Sequence, residues 1–266
     1  MREKFDRAAA SYNEAAVLAL EVSLRMTARL DFMKVSPARI ADIGCATGDG
    51  IRALIARYPL ALPLALDSAP AMLDEVDRRS SLLERLRRRA PRCVAADVRA
   101  LPLKGGTLGL AWSNLMLHWL DDPMPAFGEL HRVLETGGLL MFSALGPDTL
   151  KELRAAGATT LRHFHDMHDL GDMLVAAGFA DPVMDMETIA LSYASPRGLL
   201  RDQRHLGVRD GLLGPMGFRD GRRVFRAWQE ARHEGRLPAS FEIVYGHAWK
   251  AEPKTAADGR AIVRFR

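Results

Sequence analysis

One segment, Ile40-Ala41-Asp42-Ile43-Gly44-Cys45-Ala46-Thr47-Gly48, constrains the fold of this chain most strongly. An apolar strand runs into a carboxylate and then into a turn of small residues that opens a helix. Glycines leave no Cβ in the way, so such a turn lets backbone N–H groups and a helix N-terminus come close to a ligand. The dinucleotide fingerprint G-x-G-x-x-G needs glycine at 44, 46 and 49, but Ala46 and Asp49 stand there. Another nucleotide fold and a plain structural turn stay open on this segment alone.

The surrounding pattern sets the architecture. Residues 5–34 read as one helix, with Leu18, Val22, Met26 and Leu30 at three- and four-residue steps. Ser36-Pro37 ends it. Strands follow at Ile40–Ile43, Leu62–Leu66, Cys93–Ala96, Leu108–Ser113 and Leu139–Leu145. Helices fall between them at Gly48–Arg57, Ala69–Arg79 and Pro123–Leu134, the last closed by Gly137-Gly138. Apolar strands alternating with helices imply an α/β fold: a doubly wound, mostly parallel, Rossmann-like sheet covered on both faces. Helices at Pro147–Ala156 and Asp169–Ala177, a strand at Val183–Tyr193 and a final strand at Phe241–Lys250 complete the pattern. The expected division is an N-terminal helical lid over 1–35 and a core over 36–195. An arginine-rich helical insert over 196–236 sits above the strand ends, a last strand over 237–250 returns to the sheet, and a flexible tail covers 251–266.

Composition narrows the setting. The 266 residues are 48% hydrophobic and 26% charged, ordinary for a soluble globule. Cys45 and Cys93 provide no disulfide framework and favour a reducing cytoplasm. The charged N-terminus lacks a signal-peptide core, and no run approaches the roughly 18 apolar residues of a membrane span. A cytoplasmic monomer without a membrane partner is expected. The basic run Arg85, Arg87, Arg88, Arg89 lacks interleaved aromatics, which argues against nucleic acid. His163, His165 and His168 do not have the helical H-x-x-x-H spacing, so no metal is expected. Between Pro196 and Arg236 there are 10 Arg against 5 Asp plus Glu, a local excess of +5. That excess suits either a face for an acidic partner or a solvated helical surface.

In open α/β sheets, ligands sit beyond the carboxyl ends of the strands, where Asp42, Asp67 and Asp97 fall. The turn and these acids resemble the pocket of class I methyltransferases, which use S-adenosylmethionine (SAM). The turn resembles their D-x-G-x-G-x-G motif with Ala46 replacing the middle glycine, where alanine needs negative φ or strain. The resemblance implies that Asp42, Gly44, Cys45 and Gly48 surround the methionine end. It also implies that Asp67 accepts from both ribose hydroxyls, a bidentate role suited to a carboxylate, with Ser68 and Met72 beside it. Asp97 and Val98 would meet the adenine. A helix N-terminal acid at 67 and a surface acid at 97 are the competing readings. In A-W-S-N-L-M-L-H-W at 111–119, Asn114 and Leu115 would face the cofactor, and His118 and Trp119 the substrate. A helix-face histidine and a core tryptophan compete with that placement. Tyr12, in F-D-R-A-A-A-S-Y at 5–12, belongs to a segment resembling the helix that closes over SAM.

Two further pieces, G-P-D-T-L-K-E-L-R at 146–154 and F-E-I-V-Y-G-H-A-W-K at 241–250, narrow the resemblance. With 5–12 and 111–119 they are similar to the malonyl-acyl-carrier-protein O-methyltransferases of biotin synthesis, over nearly the whole chain. The resemblance implies methyl transfer from SAM to the free carboxylate of a malonyl thioester on acyl carrier protein. S-adenosylhomocysteine would be the by-product, and the methyl ester would prime pimelate and biotin synthesis. A carboxylate already ionised at neutral pH needs no general base, so positioning and exclusion of water would carry the reaction. An arginine from the 196–236 insert is the expected clamp for the malonyl carboxylate. Related assembly factors sharing D-T-L-x-E-L-R act on a protein arginine. That activity, a small-molecule O-methyltransferase and a SAM-binding module without catalysis are the alternatives.

Overall fold

The computed structural model describes residues 2–86 and 89–252, so Arg87, Arg88 and nearly all of the expected tail lie outside the described residues. The chain begins with helix α1 (Arg2–Ala8), a 3-10 turn (Ala9–Glu14) and helix α2 (Val17–Arg29). The single helix expected over 5–34 is therefore broken. Ser11 Oγ donates to the Ala8 carbonyl, and Asn13 turns its side chain to Thr47 across the molecule. Such side-chain bonds compete with the helical ladder and win here.

Strand β1 (Arg39–Ile43), helix α3 (Asp49–Arg57), strand β2 (Leu62–Asp67) and helix α4 (Pro70–Arg78) follow the expected alternation. Pro70 begins α4, where its missing N–H has no partner to lose. Short helix α5 (Leu82–Leu86) leads to strands β3 (Arg92–Ala95) and β4 (Leu108–Ser113). Helix α6 (Met124–Val133) passes directly into strand β5 (Leu134–Leu145). Gly137-Gly138 is thus inside the strand and closes no helix. Gly137 has φ +77, and a Cβ on Gly138 would lie 2.8 Å from the Glu135 carbonyl. Gly137 takes the left-handed backbone that favours glycine, and a side chain at 138 would run into the main chain.

Helices α7 (Lys151–Ala155) and α8 (Met167–Ala176) precede strand β6 (Ala180–Tyr193). Helices α9 (Pro196–His205), α10 (Arg209–Leu212) and α11 (Phe218–Glu230) then lead to strand β7 (Leu237–Trp249). The seven strands form one sheet in the order β3-β2-β1-β4-β5-β7-β6. β7 runs antiparallel between β5 and β6, and the other pairings are parallel. It begins at Leu237, before the aromatic run that marks it in sequence.

Alternate residues feed the two faces. Ile40, Leu110, Trp112 and Met141 enter one buried cluster, and Ala41, Ile43, Ala111 and Phe142 enter the other. Each fully buried large side chain contributes about 1.5–3 kcal/mol relative to exposure. In α11, Val224 and Trp228 are buried, and the Trp228 indole donates to the Pro238 carbonyl at 2.9 Å. This pins the insert to β7. Arg219, Arg222, Arg223 and Arg226 remain exposed on the same helix.

Candidate active site

The turn after β1 is built by its backbone. Gly44 N–H and Cys45 N–H both donate to the Leu66 carbonyl, at 2.8 and 3.0 Å. Gly44 has φ +77, and a Cβ there would lie 2.3 Å from Met116 Cγ. Ala46 has φ +45, so this turn takes the strained option of the two that alanine leaves. A left-handed alanine costs about 1–2 kcal/mol.

Asp67, at the end of β2, holds that turn in place. Its Oδ2 accepts from Ala46 N–H at 3.0 Å and its Oδ1 from Ala69 N–H at 2.8 Å. Burial raises its pKa, and these backbone donors oppose the rise. Each oxygen keeps a further lone pair for a ligand. Asp97 lies two residues beyond β3 and is held by Arg99, whose Nη2 reaches Oδ2 at 2.6 Å. Hydrogen bonding from Arg99 keeps the Asp97 carboxyl below the usual carboxylate range.

These groups share one cavity of about 640 Å3 at the carboxyl ends of the strands. Its wall includes Tyr12, Gly44, Asp67, Ser68, Met72, Asp97 and Val98. Asn114, Leu115, His118 and Trp119 line it as well. The Tyr12 hydroxyl is pushed up by burial and by the negative field of Asp67. Asn114 is tied on both sides: its Nδ2 donates to the Ala19 carbonyl at 2.9 Å, and its Oδ1 accepts from Ser143 Oγ at 2.8 Å. Leu115 adopts φ +51 with its N–H bonded to Ser143. Strained residues thus stand at two points of the wall, Ala46 and Leu115.

Three of the expected residues are not brought to this wall. Asp42 is 2% exposed within β1, with its carboxylate packed beneath Gly50 in the first turn of α3. Burial pushes its pKa up to about 7. Asp42 and Cys45 border a smaller hollow behind the turn. Gly48, at φ +91, packs against Val76. The strand–turn–helix motif signals all three equally, but only the residues whose backbone or side chain faces the strand ends reach the cavity.

His118 is buried among Trp119 and Phe164, with ring centroids at 4.6 and 5.5 Å. Its Nδ1 accepts from Leu145 N–H at 3.3 Å, which places the proton on Nε2. Burial, then the nearby Arg162, lower its pKa to about 3. It is neutral at physiological pH. Arg162, which no motif marks, donates to the carbonyls of His118 and Trp119 at 3.1 and 3.3 Å and pairs with Asp121 at 2.8 Å.

The insert reaches the cavity, but through other residues than expected. Asp202, Gln203, Leu206, Val208 and Leu212 stand in the wall. None of the insert's arginines does; the arginines at the wall are Arg2 and Arg99. The expected insert clamp is corrected accordingly. On α9, Arg197, Arg201 and Arg204 lie on the exposed side, opposite buried Leu199 and Gln203. A solvated guanidinium is cheaper than a desolvated one, which leaves the inner face to apolar and amide groups.

The set fits an adenosyl cofactor. A β2-end carboxylate, a second acid after β3, apolar Met72, Val98 and Leu115 and the Cβ-free Gly44 share one cavity. Among the described residues, no group of three or more His, Cys, Asp or Glu is placed to hold a metal. No helix among them is long and apolar enough to cross a membrane.

Comparison with known proteins agrees. A methyltransferase-domain family matches residues 41–142. Malonyl-[acyl-carrier protein] O-methyltransferase from Gallionella capsiferriformans is 48% identical, covering 99% of this chain and 94% of that protein. The protein of the same name from Laribacter hongkongensis is also 48% identical, over 100% of this chain and 94% of its own. Among solved structures, the YcgJ protein from Bacillus subtilis has a TM-score of 0.60 at 13% identity, covering 87% of this chain and 99% of that one. Phosphoethanolamine N-methyltransferase 2 from Haemonchus contortus, in complex with SAM, has a TM-score of 0.57 at 14% identity, over 93% of this chain and 57% of that one. These two show the fold alone, the class I methyltransferase fold.

Proposed function

We infer the activity from family and cavity together: the chain belongs to the malonyl-[acyl-carrier protein] O-methyltransferases. It is a SAM-dependent O-methyltransferase. Its substrate in this reading is a malonyl group held as a thioester on acyl carrier protein, methylated at its free carboxylate for biotin synthesis. A monomer working in the cytoplasm fits this role.

When bound, SAM supplies an electrophilic methyl on a sulfonium and leaves as S-adenosylhomocysteine. Asp67 accepts from the ribose hydroxyls, and Asp97, with Val98, meets the adenine. Gly44 and Ala46 present backbone to the methionine end. The malonyl carboxylate is ionised before it arrives, so no side chain has to remove a proton. His118 accordingly acts by position. With its pKa near 3 it does not serve as a base at neutral pH. Phe5 of α1 packs edge-on against Trp119 at 6.2 Å, and this pair excludes water from the acceptor side.

The observation that carries this reading is Asp67, fixed by the N–H groups of Ala46 and Ala69 at the floor of the cavity. The test is to incubate the protein with SAM and malonyl-carrier protein and weigh the product. A gain of one methyl on the carrier is expected. No gain there, with methylation of a protein arginine instead, overturns it.

A further inference from the structure

The 3-10 turn after β4 (Leu117–Trp119) puts His118 and Trp119 in the cavity wall. So short a turn ends in carbonyls with no partner inside it. Leu117 gives its carbonyl to Leu120 N–H. The next two carbonyls are met by one side chain from a distant part of the chain. Arg162 Nε donates to the His118 carbonyl at 3.1 Å, and Nη2 to the Trp119 carbonyl at 3.3 Å. Nη2 also reaches Asp121 Oδ1 at 2.8 Å. Three acceptors of one loop converge on a planar fork of donors, which the single ammonium of lysine cannot reproduce.

Arg162 is held from the other side as well. Its own N–H donates to the Leu212 carbonyl at 2.9 Å, and Thr160 Oγ1 donates to the Leu213 carbonyl at 2.7 Å. A Cβ on Gly214 would lie 2.1 Å from the Thr160 carbonyl oxygen, so the insert lies tight against this segment. Residues 160–162 therefore bridge two walls of the cavity, the insert at Leu212 and the loop at His118 and Trp119.

The bridge fixes the Trp119 ring. The Arg162 guanidinium carbon stands over its face, 5.9 Å from the centroid, while Phe5 meets it at 6.2 Å and His118 at 4.6 Å. Trp119 lines the cavity and Arg162 does not, so Arg162 reaches a bound molecule only through the ring. Asp67 and Asp97 are held by other partners, Ala46, Ala69 and Arg99. The cofactor end and the Trp119 end are thus fixed separately.

We propose that Arg162 is a positioning residue for the acceptor: it sets Trp119, and Trp119 sets the line along which the acceptor carboxylate approaches the SAM methyl. This rests on the reading that Trp119 faces a malonyl thioester. Methyl transfer needs oxygen, carbon and sulfur in line, and a displacement of about 1 Å can cost on the order of a hundredfold in rate.

The experiment measures kcat with malonyl-carrier protein and SAM binding by calorimetry, on the full chain. Arg162→Met is expected to lower kcat about thirtyfold, and Arg162→Lys, which keeps a cation beside Asp121, about tenfold. SAM affinity is expected to stay at the wild-type value in both, which also reports an intact fold. Trp119→Leu is expected to lose kcat to a similar degree. Adding Arg162→Met to it should then cost less than about twofold more, because the ring through which Arg162 acts is gone. Losses that multiply in the double variant overturn the proposal, and so does a parallel loss of SAM affinity. A loss at Trp119 with none at Arg162 overturns the proposal alone. A Trp119→Leu protein with wild-type kcat instead removes the placement of the acceptor against Trp119, and the proposal with it.

Discussion

Thr47 of the glycine turn donates its hydroxyl to Asn13 Oδ1 at 2.6 Å, so the N-terminal segment is bonded directly to the turn it covers. Two further bonds tie the same segment down. Ala71 N–H donates to Asp6 Oδ1 at 3.0 Å, and Asn114 Nδ2 to the Ala19 carbonyl at 2.9 Å. The floor of the cavity and its cover therefore move against each other only when these bonds break. Thr47→Val preserves shape and removes one donor, at a cost of about 1 kcal/mol. SAM release is expected to quicken roughly fivefold, read by stopped-flow displacement. An unchanged release rate means the cover opens elsewhere.

Ala46 and Gly44 both have positive φ, yet they respond to substitution in opposite ways. Ala46→Gly relieves a left-handed alanine, offset in part by the freedom glycine gains in the unfolded chain. A rise of about 1–2 °C in Tm with unchanged SAM affinity is expected. Gly44→Ala adds a Cβ 2.3 Å from Met116 Cγ at φ +77, and SAM binding by calorimetry should vanish. A lower Tm for Ala46→Gly contradicts the strain assigned to that residue.

Strand and helix periodicity made the parallel half of the sheet readable, because β1, β2 and β4 are buried and bounded by turns. The break in the first helix was hidden. It depends on Asn13 finding Thr47, 34 positions away, and alanine-rich sequence gives no local sign of it. Gly137-Gly138 misled for a related reason: glycine marks a helix stop and a strand bend alike. At the site, Asp67 and Asp97 could be read because they sit at strand ends with a motif around them. Gln203 and Tyr193 could not, since only tertiary packing of the insert against the end of β6 brings them to the cavity.

The basic outer side of the insert has a testable consequence. Arg219, Arg222, Arg223 and Arg226 are exposed on α11, with Phe218 80% exposed beside Arg222 at 5.8 Å. Reversing these charges together is expected to raise KM for malonyl-carrier protein about tenfold at low salt and less at high salt, leaving kcat in place. Activity on a small free malonyl thioester should be unaffected. Equal loss on both acceptors means the arginines matter for folding and do not dock the carrier.

Asp42 makes stability depend on pH in a direction opposite to most carboxylates. Its pKa is about 7 in the fold, against about 3.9 in an unfolded chain. Below the unfolded value both states hold the proton, and the group's contribution is fully present. As pH rises, the unfolded state releases the proton first, and the contribution is lost by the time pH passes the folded value. His118 works the other way: its folded pKa of about 3 lies below the unfolded value, so its contribution grows as pH rises toward 6.5. The wild-type profile mixes the two, but a comparison with Asp42→Asn cancels His118. Asparagine keeps the shape of the carboxyl group and never ionises. The stability of Asp42→Asn minus that of the wild type should therefore climb between pH 4 and 7 and level off above, reaching about 1–3 kcal/mol at pH 8. Urea unfolding at stepped pH measures it, and a difference that stays flat across that range shows that Asp42 is charged in the folded protein.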